Sequence, residues 1–143
     1  MRIFSIFVSV MDIIEFREYC LSLPDVEETL PFDDTTLVYK VGGRMFAMVS
    51  LERSDHFAVK CDPERAIILR DSYPQVTAGW HLNKRHWNDI RFEGRLGDEA
   101  LRGEVRHSYM LVVRHNVTPK ALRLDILSHI ASEGITDDVE RFE

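Results

Sequence analysis

The sequence predicts an α+β domain: an antiparallel β-sheet with helices packed on one side. Three observations predict it. Leu37, Tyr39 and Val41 alternate with Thr36, Val38 and Lys40, the period of two that marks a half-buried strand. Gly42-Gly43 separates that run from a second apolar one at residues 45–51, which is a hairpin signal. On both sides of this β region the apolar spacing becomes helical.

The first helix is expected over residues 13–21. Asp12-Ile13-Ile14-Glu15 resembles a capping box with Asp as the cap. Ile13, Phe16, Cys20 and Leu23 make the inward stripe, and Leu23-Pro24-Asp25 ends the helix. After the hairpin and a charged loop at residues 52–55, residues 56–61 read as a third strand of an antiparallel meander. Asp62-Pro63-Glu64 opens the next helix, with an N-cap, a proline at the first helical position and an acid in the first turn. Tyr73-Pro74 closes it, because the residue before proline is pushed out of the helical region.

Residues 76–92 follow as a strand, a turn near Leu82-Asn83-Lys84 and a strand through Trp87, Ile90 and Phe92. A longer helix starts at Asp98 and reaches about residue 114, with Leu101, Val105, Tyr109, Val112 and Val113 inward. Thr118-Pro119 caps a last helix whose inward residues are Leu122, Ile126, Leu127 and Ile130. Three parts are therefore expected: an apolar extension at residues 1–11, one domain at residues 12–132, and a flexible acidic tail at residues 133–143.

The chain has 143 residues, 45% apolar and 29% charged, which is ordinary globular usage and enough for a core without disulfides or metal. Cys20 and Cys61 form no redox or metal motif and read as small buried hydrophobes of a reducing, cytoplasmic setting. The apolar run at residues 3–10 is too short to span a membrane and lacks a small-residue cleavage site. It is expected to add a strand to a neighbouring sheet, giving a homodimer, or to precede the native start at Met11.

The net charge of −6 argues against non-specific DNA binding by the whole molecule. The charge is uneven, however. Residues 12–32 carry −5 and residues 133–143 carry −4, which leaves the remainder at +3.

Several stretches, in order, resemble the MmcQ/YjbR-like family: Val59-Lys60-Cys61-Asp62-Pro63-Glu64, Leu69-Arg70, Tyr73-Pro74, Gly79-Trp80-His81-Leu82-Asn83-Lys84-Arg85-His86-Trp87-Asn88 and Ser108-Tyr109-Met110-Leu111-Val112. The likeness runs from about residue 12 to residue 130. It implies a compact α+β fold, described as double-wing and grouped with CyaY-like (frataxin-like) domains, and a DNA-binding role. Asp33, Ala78 and Asp89 depart from the family pattern, and Asp33 and Asp89 add negative charge.

The residues point to the same class of function by their chemistry. Residues 76–92 hold both tryptophans, His81, His86 and the cations Lys84, Arg85 and Arg91 against Asp89 alone. The expected contact set is Lys60, Lys84, Arg85 and Arg91 on phosphates, His81 and His86 adding charge at lower pH, and Trp80 or Trp87 stacking on a base. Arg44 and Arg70 would extend the surface. A turn with a solvated tip, and with Trp87 in the core, is the competing structural reading.

Two further classes stand beside DNA binding: a protein-interaction or small-anion module, and weak divalent-cation binding by Asp12, Glu15, Glu18, Asp25, Glu27 and Glu28. The six histidines show no ligand spacing, and no metal or cofactor is expected. His107 beside Ser108 lacks nucleophile-elbow glycines, and adjacent helical side chains diverge, so no enzyme is expected.

Overall fold

The computed structural model describes residues 11–79 and 82–139. The expectations for residues 1–10, and for Trp80 and His81, fall outside them.

Helix α1 (Ile13–Ser22) starts where Asp12 accepts the Glu15 backbone N–H at 2.9 Å, one half of the expected capping box. Glu15 does not complete the other half; its carboxylate faces Arg102 of a later helix at 3.5 Å. Strand β1 (Val26–Thr29) follows, then β2 (Thr36–Val41), β3 (Arg44–Ser50) and β4 (His56–Lys60). Helix α2 (Pro63–Ser72) is capped by Asp62 on the Arg65 N–H, and it leads to β5 (Val76–Ala78) and β6 (Trp87–Arg91). Helices α3 (Asp98–His115) and α4 (Lys120–Glu133) close the fold.

The six strands form one antiparallel sheet in the order β1-β2-β3-β4-β6-β5. Strand register places Leu37, Val49, Phe57, Ile90 and Val76 in one row across five strands, and all five are buried. Because side chains alternate along a strand, such a row defines the core face. Phe16 of α1 packs there on Phe57, Tyr39 and Phe92, with ring centroids 4.7, 5.7 and 6.0 Å away. Tyr109 of α3 meets Phe46 edge-on at 5.3 Å, and its hydroxyl donates to the Pro24 carbonyl at 2.7 Å. Helix α4 reaches this layer through Ile126 and Ile130, while Leu122, expected inward, is 38% exposed.

Three other expectations change. Strand β1 forms in an acid-containing stretch where no strand was expected. Its Glu28 is neutralised by Arg17, whose Nε and Nη2 donate at 2.7 and 3.1 Å, and it also accepts the Tyr39 hydroxyl. Thr118 does not cap α4; Pro119 is the N-cap and no side chain bonds there. Of the tail expected at residues 133–143, residues 134–139 lie against the domain, and residues 140–143 fall outside the described residues. Gly134 takes the left-handed conformation that ends the helix (φ 70°), and Ile135 packs on the core. Asp137 and Asp138 then reach His107, Arg114 and Arg106 of α3. The Asp137 and Asp138 charges are matched by cations of the helix beneath.

Candidate nucleic-acid interface

The end of the sheet formed by the β2–β3 hairpin, the end of β4 and the β5–β6 turn gathers much of the expected contact set. Its geometry begins with a break in the ladder. The β3–β4 pairing runs through Val49↔Phe57, Met48↔Ala58 and Ala47↔Val59, so the next rung would join Phe46 to Lys60. There the hydroxyl of Ser108, fully buried on α3, accepts the Lys60 N–H at 2.8 Å and donates to the Phe46 carbonyl at 2.6 Å. One hydroxyl can do both. A helix side chain thus replaces a direct rung, and β3 and β4 splay apart just where the cations begin.

Beyond that point β4 continues against the β5–β6 turn, with the Cys61 N–H donating to the His86 carbonyl at 2.7 Å. The turn is built on Asn83. Its side chain accepts the Arg85 N–H at 3.0 Å, and its carbonyl accepts the His86 and Trp87 N–H groups at 3.1 and 3.0 Å. Gly79 is required opposite, because a Cβ there would lie 2.9 Å from the Trp87 Cβ. Arg70 of α2 locks the turn from the helix side. Its Nε donates to the buried Asn88 Oδ1 at 2.7 Å, and its Nη2 donates to the carbonyls of Trp87 and Lys84.

Lys60, Lys84, Arg85 and His86 are therefore brought together, and register adds Arg44, since β3 runs antiparallel to β4. Lys60 Nζ donates to Asn116 Oδ1 at the end of α3 at 3.0 Å. Partial burial lowers the Lys60 pKa below the ordinary lysine value, and the Arg44 charge lowers it further. Lys84 curls back toward the Gly79 carbonyl at 3.4 Å. Arg85 and Arg44 are exposed.

Three residues of the expected set are placed elsewhere or differently. Trp87 is only 5% exposed, so it offers no face for a base, as the structural reading of the turn had it. Arg91 lies at the far end of β6, about 13 Å away at the usual strand rise, paired in register with His56. Arg70 is spent on holding the turn. Ser108 and Asn116, which position Lys60, had no signal in the sequence beyond an Asn following a helix.

The electrostatics of the two halves differ. Five arginines that pack on or between the helices are paired: Arg17–Glu28, Arg65–Glu104, Arg102–Asp98, Arg106–Asp138 and Arg114–Asp137. Among the described residues Arg44, Lys60, Lys84 and Arg85 make no ion pair within 4.0 Å. Of the acids around α1, Asp12 caps the helix, Glu15 faces Arg102, Asp25 meets His129 and Glu28 meets Arg17, and among the described residues no cluster of three or more acids, histidines or cysteines is poised for a metal ion. His107 and Ser108 do not bond to each other; His107 Nε2 accepts the Asp62 N–H at 3.2 Å. No helix among the described residues is long and apolar enough to cross a membrane.

Fold and site together define an α+β domain with five ion-paired arginines about its helices and a group of cations without ion pairs at one sheet end. Its family follows from comparison with known proteins. The family model named YjbR matches residues 21–111, and the chain belongs to the YjbR family. It is 33% identical over 114 residues to the uncharacterized protein YjbR of Escherichia coli strain K12, covering 79% of this chain and 95% of that one. It is also 33% identical over 98 residues to the uncharacterized protein YbdF of Escherichia coli O157:H7, covering 68% and 80%.

Among solved structures, the Deinococcus radiodurans protein DR2400, of domain DUF419, matches with a TM-score of 0.75 and 36% identity, covering 92% of this chain and 94% of that one. A Pseudomonas syringae protein matches with a TM-score of 0.60 and 19% identity, covering 71% and 98%, and so shares the fold.

Proposed function

We propose that this protein is a non-catalytic DNA-binding protein whose sheet end, formed by Arg44, Lys60, Lys84 and Arg85, contacts backbone phosphates. The observation that supports it is the grouping of four cations, Arg44, Lys60, Lys84 and Arg85, at one end of the sheet, none of them in an ion pair among the described residues. Phosphate contact by lysine and arginine positions a duplex without reading its sequence. Trp80 is the remaining candidate for stacking. The reading is non-catalytic because Ser108 and His107 are both committed to backbone groups. Two free, buried cysteines suit a cytoplasmic protein.

Titration of a short duplex at two salt concentrations tests the proposal. Four phosphate contacts give a log–log salt slope of about −3.6, or roughly a hundredfold weakening between 50 and 200 mM salt. Lys84→Ala with Arg85→Ala would reduce the slope by about 2. Absence of binding at low salt, or binding that the double variant leaves untouched, refutes it.

A further inference from the structure

On the helical side, away from the cationic sheet end, the chain after α4 lies in a groove between α2 and α3. Beside it is a cavity of about 430 Å³ with an apolar floor of Leu69, Tyr73, Leu96, Ala100 and Gly103. Gly103 is buried on α3, and a Cβ there would meet the Val139 methyl at an ordinary 3.7 Å, so Val139 rests on the helix backbone. The walls are charged. Arg65 and Glu104 pair at 2.6 Å with side chains 11% and 5% exposed. Arg106, 15% exposed, donates to the Tyr19 hydroxyl at 2.8 Å and to Asp138 at 2.9 Å, with Glu99 at 3.5 Å.

One turn further along α3, His107 accepts the Asp62 N–H through Nε2, so its proton sits on Nδ1 and is donated to Asp137 at 3.2 Å. Arg114 approaches the same carboxylate at 3.5 Å. Burial alone would push the Asp137 pKa up; the His107 bond and the Arg114 and Arg65 charges outweigh it and hold the carboxyl below the usual range.

Without residues 137–139, this groove presents Arg65, Arg106, Arg114 and His107 against Glu99 and Glu104. Its charge complements an anionic segment, and its glycine-floored hollow accepts a branched aliphatic side chain. We propose that the α2–α3 groove is a docking site for an acidic, aliphatic peptide segment of a partner protein, and that Asp137-Asp138-Val139 is its intramolecular occupant. Exchange needs only the strap after α4 to lift, and Gly134, left-handed with nothing within 4 Å of its Cβ position, is the hinge. The strap competes as a tethered ligand, so a peptide in solution must overcome its effective concentration.

The probe is a fluorescently labelled peptide with the sequence of residues 134–139, titrated into the full chain and followed by anisotropy. Against the wild type, a full-length Asp137→Asn, Asp138→Asn variant, whose own strap is weakened, is expected to bind the peptide at least about tenfold more tightly. Adding the exposed-side change Arg114→Ala, or separately Arg106→Ala, is expected to reverse that gain, and an Asn-Asn version of the peptide is expected not to bind. Thermal melts verify that each variant is folded, with Arg114→Ala as the arm that keeps the structural core intact. Equal affinity of wild type and weakened-strap variant, indifference to Arg114→Ala, equal binding of the Asn-Asn peptide, or no binding at millimolar peptide would each overturn the assignment.

Discussion

Replacing Ser108 by alanine isolates the hydroxyl that stands in for a sheet rung. In the native fold that oxygen satisfies the Lys60 N–H and the Phe46 carbonyl at 2.8 and 2.6 Å, at a position with no solvent exposure. Alanine removes both bonds and leaves the Lys60 N–H and the Phe46 carbonyl without that partner. Each lost bond costs about 1–1.5 kcal/mol, and the better helix propensity of alanine returns about 0.5 kcal/mol. The expected net loss is about 2 kcal/mol, a fall in melting temperature of about 4–8 °C for a chain of this size. Denaturant titration gives the first number, and hydrogen exchange at the Lys60 amide gives the local one, where protection should drop more than at Phe57. A loss below about 0.5 kcal/mol with unchanged Lys60 protection would refute the wedge as a source of stability.

Gly42→Ala places a Cβ 2.7 and 2.9 Å from the Val117 methyls at φ 57°, whereas Gly43→Ala at φ 78° meets open space. The first should cost about 2–4 kcal/mol and the second about 1 kcal/mol by the same denaturation assay. Gly103→Ala lies inside α3 with only ordinary 3.7 Å contacts, so it should stabilise by about 0.5–1 kcal/mol; a loss would mean the strap needs the bare backbone. Arg70→Ala strands the buried Asn88 Oδ1 and two turn carbonyls, costing about 2–3 kcal/mol and increasing amide exchange at residues 86–88, and Arg70→Lys should rescue only part because lysine lacks the planar fork. His129 Nδ1 lies 2.6 Å from Asp25, which raises its pKa above the ordinary histidine value. The pair therefore stabilises below about pH 6.5 and is lost as pH rises through the raised value. An NMR titration should show the shift shrink in Asp25→Asn, a variant whose backbone is kept because Asn tolerates the left-handed conformation found there (φ 62°).

The parts of this fold that sequence reading reaches are those in which a local pattern and the tertiary context agree. The alternation in β2, the Gly42-Gly43 turn and the Asp12 and Asp62 caps all appear as read. Strand β1 escaped because Glu28 looks solvated until Arg17 and Tyr39 arrive from elsewhere in the chain. The stripe on α3 was legible for its aliphatic members. Glu104, His107 and Ser108, equally buried, depend on partners 39 to 62 residues away. The same limit governs the site. Lys60, Lys84 and Arg85 were legible as cations near a turn, whereas their separation from Arg91 needed the length of β6, and the diversion of Arg70 needed the packing of α2 on β5 and β6. The contacts of Asp137 and Asp138 were not legible because charge density alone does not distinguish a solvated segment from one matched by a helix face.

The two thiols described as buried hydrophobes have a practical consequence. Cys20 has no exposure and Cys61 has 2%, and burial pushes both thiols well above the usual cysteine pKa. An alkylating reagent needs both access and thiolate, so neither sulfur reacts in the folded chain. Cys20 sits on α1, and Cys61 directly follows the strand that carries Lys60. Their labelling rates under native conditions are thus two separate clocks for opening, one for the helical layer and one for the cationic end, with no added probe in the protein.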